Sequence, residues 1–240
     1  MRLDSLFEIT LSRKAADPAL SPRMIASLTA LKQLRSIELE FEKLTVDDMK
    51  GLIELQKLKG IKSIQISAPT GKIGPGVDLS VLPQNCSLIL NGFELTTEQA
   101  SQIKHLRSID LTLKTMSAEA IETLTTKGLG WLRICDCSFD SKAATAITRY
   151  SGDSLALVHC KFPLQFTIEP GPLERLYFGS TNVSKDCVIE WLKKSRAISF
   201  GTDQNLTSEE LDSYQQIENL QWISHQSTSG ETIGLNLRSK

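Results

Sequence analysis

The feature that most constrains the fold of this chain is a short apolar step that recurs along it. Two apolar residues separated by one other residue are typical of a half-buried strand. Successive first members of these pairs lie 21 to 27 residues apart. The pairs are Ile37/Leu39, Ile64/Ile66, Leu88/Leu90, Ile109/Leu111, Leu132/Ile134, Leu155/Leu157, Leu176/Phe178, Ile198/Phe200 and Leu220/Trp222. A unit of this length cannot bury its apolar side alone, so the pattern predicts stacked units with their strands in one parallel sheet. Leu39, Leu111 and Ile134 are then expected in equivalent rungs of one ladder.

Most units carry a second marker after the strand, namely an apolar residue, then Ser, Thr or Asp, then a helical stretch. The markers are Leu44-Thr45, Leu95-Thr96, Met116-Ser117, Phe139-Asp140, Val183-Ser184 and Leu206-Thr207. These side chains suit helix N-caps, because they accept hydrogen bonds from N–H groups that the first turn leaves unpaired. Two units differ: residues 67–78 and 162–172 are rich in glycine or proline and predict loops in place of helices.

The strand runs resemble the leucine-rich-repeat signature. The matching runs are Leu34-x-x-Ile37-x-Leu39, Leu106-x-x-Ile109-x-Leu111, Leu129-x-x-Leu132-x-Ile134 and Leu173-x-x-Leu176-x-Phe178. The helix starts are similar to those of the bacterial class with repeats of 23–24 residues. The family's Asn is missing from nearly all units, and Cys137 and Cys160 take its place in two of them.

The resemblance covers residues 34–224 and implies an α/β leucine-rich-repeat solenoid, with a curved parallel sheet on the concave side and helices on the convex side. It implies a single domain over residues 1–240, in which residues 1–32 form an N-terminal unit or cap, 33–224 the repeats and 225–240 a C-terminal cap. Such a fold does not fix a function.

Composition excludes several classes of partner. The net charge of −1 lacks the basic excess of a nucleic-acid-binding protein. No apolar run is long enough to span a bilayer, and acidic residues appear too early at the start for a secretory signal. The five cysteines are an odd number, which argues against a disulfide framework. We therefore expect a cytoplasmic protein with no membrane or nucleic-acid partner.

Two groups of residues raise the possibility of chemistry. Residues 152–155, Gly-Asp-Ser-Leu, spell the tetrapeptide of a serine esterase family, but they lie mid-chain, and no Asp precedes His225 at the spacing that family requires. The cluster Cys135, Cys137, His159 and Cys160 suggests zinc, yet Cys135 falls on the opposite face from the other two thiols. The sequence predicts no metal, no cofactor and no enzymatic activity. A hydrolase that uses Ser154 remains an alternative.

The side chains between the inward positions should form a binding face. Trp131, Arg133, Arg175 and Tyr177 are expected there, two units and about 10 Å apart, with only small residues on the strand between them. Because Trp, Tyr and Arg dominate binding hot spots, we predict a protein or peptide partner at these four residues. The alternatives are that Trp131 folds over the sheet while Arg133 pairs with Asp110, or that the chain is a scaffold segment of a larger assembly.

The same alternation assigns faces at the carboxyl-terminal end. Trp222 is expected in the core with Phe178 and Phe200, in the column that begins with Leu39. The face of the last two units should then be built from Ala197, Ser199, Gly201, Asn219, Gln221 and Ile223.

Overall fold

The computed structural model describes residues 8–28, 30–57, 60–68, 72–74, 76–92, 94–125 and 129–238. The first seven residues of the expected N-terminal unit, and residues 69–71 and 75 of the first irregular unit, lie outside these ranges. Within them the chain forms an α/β fold with seven α-helices and one large, mostly parallel sheet. None of the described helices is long and apolar enough to cross a membrane.

The strands and helices alternate along most of the chain. The strands are β1 (Glu8–Arg13), β2 (Ser36–Phe41), β3 (Lys43–Leu44), β4 (Ser63–Ala68), β5 (Lys72–Ile73), β6 (Cys86–Asn91), β7 (Ser108–Thr112), β8 (Trp131–Cys135), β9 (Ser154–Val158), β10 (Arg175–Gly179), β11 (Ser199–Thr202), β12 (Trp222–Gln226) and β13 (Thr232–Asn236). The helices are α1 (Pro22–Leu28), α2 (Val46–Glu54), α3 (Thr97–Ile103), α4 (Ala118–Thr125), α5 (Ser141–Thr148), α6 (Lys185–Ser195) and α7 (Ser208–Gln215). Two 3₁₀ turns cover Leu55–Lys57 and Leu79–Val81.

The order of strands in the large sheet follows the order of the sequence. Eleven strands run from β1 at one edge to β13 at the other, and β3 and β5 pair separately as a small parallel ribbon. Neighbouring strands of the large sheet are parallel up to β12, and β13 then pairs with β12 antiparallel. Among the described residues β1 and β13 do not pair with each other, so the sheet is open.

The helices cover one face of the sheet, and the core lies between the two layers. Ile109 and Leu111 on β7 are fully buried, as are Ile121 and Leu124 on the following helix α4. All four belong to one continuous apolar cluster that extends from the first unit to the last. Since burying a Leu or Ile side chain contributes about 1.5–3 kcal/mol, this cluster is the main source of stability.

Five of the six expected N-caps are present: Ser117 Oγ accepts from the Ala120 N–H at 3.1 Å, and the exception is Thr45, whose side chain accepts no such bond. Thr96, Asp140, Ser184 and Thr207 each accept a hydrogen bond from a backbone N–H in the first turn of the helix that follows. Thr96 with Gln99, and Thr207 with Glu210, form capping boxes. These local contacts fix where each chain segment leaves the sheet and begins its helix.

Both irregular units lack an α-helix, as predicted, within their described residues. Between β9 and β10 the gap is filled by aromatic rings. The centroid of the Phe162 ring lies 5.0 Å from that of Phe139, 5.4 Å from Phe166 and 6.4 Å from Phe178. The side chains of this loop therefore provide the apolar cover that a helix provides elsewhere.

The register between β4 and β6 differs from the expected ladder by two residues. Ile66, rather than Ile64, pairs with Leu88, and Leu88 pairs with Ile109. Leu39 therefore aligns with Ile109 and not with Leu111, whereas Leu111 does pair with Ile134. A shift by two residues keeps every side chain on its face, so the core is continuous across the offset.

The last two units correct the assignment of faces. Leu176 pairs with Phe200, and Phe200 pairs with Ile223, so Ile223 rather than Trp222 points into the core. Trp222 is 43% exposed, whereas Ile223 is fully buried. The predicted core position of Trp222 and the predicted face position of Ile223 are both wrong.

The same correction applies one unit earlier, where Ala197 is buried and Ile198 is 39% exposed. The physical reason is the three-residue step Leu173/Leu176, which continues as Ala197/Phe200 and Leu220/Ile223. In each pair the first residue is buried just before the strand and the second within it.

Candidate binding site

The sheet has a face that the helices leave uncovered, which we call the open face. It is made from the strand side chains that alternate with the core positions. Two rows of directly paired residues cross it from β6 to β12. The first row is Ser87, Ser108, Trp131, Ser154, Arg175, Ser199 and Trp222. The second row is Ile89, Asp110, Arg133, Ala156, Tyr177, Gly201 and Ser224.

The structure brings the four predicted site residues together on the open face. Trp131 and Arg175 belong to the first row, and Arg133 and Tyr177 to the second. Strand β9 separates the two pairs, with Ser154 and Ala156 between them on this face and Val158 beyond them at the end of the strand. Two strand spacings correspond to about 10 Å, so the four side chains frame a notch with a small-residue floor.

A shallow groove of about 470 Å³ lies where the strands begin on this face. Trp131 and Arg175 line the groove with Ser154 between them, and the first-row residues Ser87 and Ser108 line it beyond Trp131. Lys62, Arg107, Asp153 and Glu174 line its rim. The groove is therefore polar and charged, and Trp131 is its large apolar surface.

Arg133 is already paired within the protein. Its guanidinium donates a hydrogen bond to the Asp110 carboxylate across 3.2 Å on the neighbouring strand. Burial raises the pKa of Asp110, and the adjacent Arg133 cation opposes that rise. The alternative considered for Arg133 in the sequence is thus the arrangement that the structure shows.

The Tyr177 side chain leans over the next strand. A Cβ atom placed on Gly201 would lie 2.7 Å from Tyr177 Cδ2 and 2.9 Å from Ser224 Oγ, so glycine is what leaves room for the ring. Burial raises the pKa of Tyr177, the nearby Asp203 raises it further and Arg133 lowers it. The phenol is therefore neutral at physiological pH and can donate a hydrogen bond.

Arg175 is exposed and differs from Arg133 in its partners. Among the described residues its guanidinium takes part in no hydrogen bond or ion pair, while its backbone N–H donates to the Asp153 carbonyl. A guanidinium in this position offers a planar set of donors to an incoming carboxylate.

Trp222 is the open-face residue that sequence reasoning missed. Its ring covers Gly234 on β13, and the side chain remains 43% exposed. The signal that could have found it is the Leu-x-x-Ile step at residues 220–223, which places Ile223 inward and Trp222 outward.

The residues considered for catalysis do not meet in one place. Ser154 lies on the open face, whereas His225 is 5% exposed on the opposite side of its strand, with Nδ1 3.0 Å from the Gln226 carbonyl. His159 Nδ1 lies 3.2 Å from an Asp136 carboxylate oxygen at the end of β9. This placement offers Ser154 no histidine base among the described residues.

The cysteines considered for zinc are buried thiols. Cys135, as predicted, lies opposite Val158 on the open face, while Cys137 and Cys160 are inside. Burial raises the pKa of Cys137 and of Cys160 to about 12. In the described part of the chain no three His, Cys, Asp or Glu side chains are grouped so that they could hold a metal ion.

A scan of the chain against protein-family models gave no match, and a search among curated proteins gave none either.

Proposed function

We propose that the chain is a leucine-rich-repeat solenoid that binds a protein or peptide partner through the open face of its sheet. The order of the strands, the parallel register and the capped helices between strands support this assignment of the fold. The observation that carries the function is the notch, where two aromatic side chains and two guanidinium groups surround a floor of Ser154 and Ala156.

A partner gains from this arrangement in two ways. The small floor residues let its backbone approach the sheet, and the surrounding rings exclude water from the contacts that form there. Arg175 has no partner to give up among the described residues, so a bound carboxylate adds a charge-assisted hydrogen bond. The proposed role is non-catalytic recognition without a cofactor. All five cysteines are free thiols, which suits a reducing compartment such as the cytoplasm.

The test compares the partners that wild-type and variant proteins capture from the source cell, measured by quantitative mass spectrometry. Trp131→Ala combined with Tyr177→Ala should lower the recovery of specific partners about 30-fold, the equivalent of about 2 kcal/mol of binding free energy. Leu164→Ala is the matched control, because Leu164 is fully exposed in the loop between β9 and β10, away from the notch. Capture that is unchanged in the double variant, or reduced equally in the control, contradicts the proposal.

Loss of folding is separated from loss of binding by a second variant. Arg175→Ala removes a side chain with no hydrogen bond or ion pair in the described structure, so its melting temperature should match that of the wild type. Its partner recovery should nevertheless fall about 10-fold, as expected for one lost charge-assisted hydrogen bond. Unchanged recovery with Arg175→Ala would assign the notch a structural role.

A further inference from the structure

The first row of the open face has a regularity that extends beyond the notch. Large side chains occupy every second strand, with Trp131 on β8, Arg175 on β10 and Trp222 on β12. Ser154 and Ser199 occupy the strands between them. The notch walled by Trp131 and Arg175 is therefore followed by a second one, walled by Arg175 and Trp222 and floored by Ser199.

The second notch, like the first, has a floor of small residues. Its floor continues into Gly201 of the second row, which has no side chain, and the Tyr177 ring lies across that glycine. The Trp222 ring covers Gly234 on the side of β12 away from Ser199, and the side chain is 43% exposed. Arg175 stands at the centre of the row with a tryptophan on each side.

The charges around the row favour an anion at its centre. Arg175 takes part in no ion pair among the described residues, and the nearest cation on the face, Arg133, is paired with Asp110. The acidic groups nearby, Asp153 and Glu174, lie on the rim just before the strands rather than in the row. A carboxylate that reaches the row therefore meets the guanidinium between two aromatic surfaces.

Strand spacing sets the distance between the contacts. Neighbouring strands lie about 4.8 Å apart, so the Cα atom of each tryptophan is about 10 Å from that of Arg175 along the row. A peptide in the polyproline II conformation advances about 3.1 Å per residue with three residues per turn, so it covers that distance in three residues and presents every third side chain on one side. A helix advances about 1.5 Å per residue and would need six or seven, so the two conformations require different sequences.

From this geometry we infer that the partner is a segment in the polyproline II conformation that crosses the strands, with an acidic side chain flanked by apolar side chains three residues before and three residues after it. The acid contacts Arg175, and the apolar residues contact Trp131 and Trp222. Ser154 and Ser199 offer hydroxyls to the partner backbone between these contacts. The inference rests on the proposed function and specifies the chemistry of its ligand.

The probe is a library of phage-displayed random twelve-residue peptides, selected on the purified full chain. The expected result is enrichment of an acidic residue with aromatic or aliphatic residues at positions −3 and +3. Enrichment of a helical spacing, of a basic centre or of no pattern would overturn the inference. Selection on Arg175→Glu should replace the acidic centre with Lys or Arg, because the charge of the central contact is reversed.

The second notch is tested with one selected peptide by fluorescence anisotropy. Trp222→Ser should weaken its binding about 10-fold, whereas Trp222→Phe, which keeps a ring over Gly234, should restore most of the affinity. Ile198→Ser is the matched control, because Ile198 is similarly exposed but precedes β11 and lies outside the row. Its affinity should equal that of the wild type.

The outcomes separate this inference from the proposed function. If Trp222→Ser binds as tightly as the wild type while Trp131→Ala loses the peptide, the second notch is refuted and recognition at the first one stands. If Trp131→Ala, Arg175→Glu and Trp222→Ser all bind normally, both fail.

Discussion

The two ends of the open face use their polar side chains in opposite ways. On β1, β2 and β4 the polar groups bond to one another across the strands. The Glu38 carboxylate accepts from Thr10 Oγ1 at 3.2 Å and from Gln65 Nε2 at 2.5 Å, and Ser36 Oγ donates to Glu8 at 3.4 Å. On β8, β10 and β12 the first-row side chains are larger and make no such bonds among the described residues.

This difference shows that the number of charged side chains does not by itself decide which end of the face can bind a ligand. A ligand on the acidic end, which is made by β1, β2 and β4, would have to replace hydrogen bonds that already exist. Each replaced bond contributes little net binding free energy. A ligand on the aromatic end, which is made by β8, β10 and β12, meets partly exposed rings and the Arg175 guanidinium. That guanidinium has no partner among the described residues, so the ligand does not have to replace an existing hydrogen bond there. The end of the face with more carboxylates is therefore the less suitable site.

The largest effect should come from filling the space beneath Tyr177. Gly201→Val places a side chain where even a Cβ atom would lie 2.7 Å from the Tyr177 ring, so the ring must move or the strand must shift. We expect a loss of about 1–3 kcal/mol in the free energy of unfolding, measured by urea denaturation, together with weaker partner binding. The described open-face residues of β1, β2 and β4 include no aromatic side chain, so Ser36→Val there should change stability far less.

A double variant tests whether Tyr177 is the cause. In a Tyr177→Ala background the Gly201→Val substitution should cost clearly less, because the clashing ring is absent. Equal costs in the two backgrounds would show that Ser224 or the strand backbone, and not the ring, requires glycine at position 201.

The sequence predicted the pairing of the strands correctly where only one set of apolar residues could point into the core. From β6 to β10 the inward step repeats every 21 to 23 residues, and the pairs Leu111/Ile134 and Leu155/Leu176 are in register as expected. In the Gly- and Pro-rich unit before β6, no apolar marker shows how many residues the loop takes up. The two-residue offset between β4 and β6 therefore could not be read from the spacing. At β12 the sequence allows two assignments, with either Trp222 or Ile223 pointing into the core. In the folded chain Ile223 is buried and Trp222 is exposed.

The site was predictable to the extent that it depends on alternation. The face of Trp131, Arg133, Arg175 and Tyr177 follows from the period of two along each strand. The lean of Tyr177 over Gly201 depends on the rotamer and on a neighbouring strand, which sequence spacing does not give. Trp222 was missed because a single error of phase moves a residue to the other side of the sheet.

A crossed pair of substitutions of intermediate effect tests the contrast between the two ends directly. Glu38→Ala removes the acceptor for Thr10 and Gln65, so it should lower the free energy of unfolding by about 1 kcal/mol and leave partner binding unchanged. Arg175→Ala should leave the free energy of unfolding unchanged and weaken partner binding. Urea denaturation and anisotropy on the same two proteins give both readouts. If Glu38→Ala weakened binding as much as Arg175→Ala, the footprint of the partner would have to include the acidic end.

The smallest effect concerns the Arg133–Asp110 pair, which joins β8 to β7 and, like the polar groups on β1, β2 and β4, is already bonded across the strands. Asp110 has a pKa raised by burial, so the folded chain holds that proton to higher pH than the unfolded chain does. For an acid with a raised pKa, the contribution to stability is fully present below the unfolded value, near 4, and declines as the pH rises through the folded value. The wild type should therefore lose stability relative to Asp110→Asn between pH 3.5 and pH 7, by less than about 1 kcal/mol, because the pair is partly exposed.

Asp110→Asn should also leave the Arg133 guanidinium available to contact a ligand. Without the carboxylate at position 110 its guanidinium is no longer neutralised, and the second row gains a cation two strands from Tyr177. An acid-centred peptide should then bind Asp110→Asn about threefold more tightly than the wild type at low salt, and the gain should shrink as salt screens the charge. If stability instead rose with pH relative to the variant, the attraction to Arg133 would outweigh burial. Asp110→Asn should then weaken peptide binding, because the carboxylate would hold Arg133 in its place in the notch.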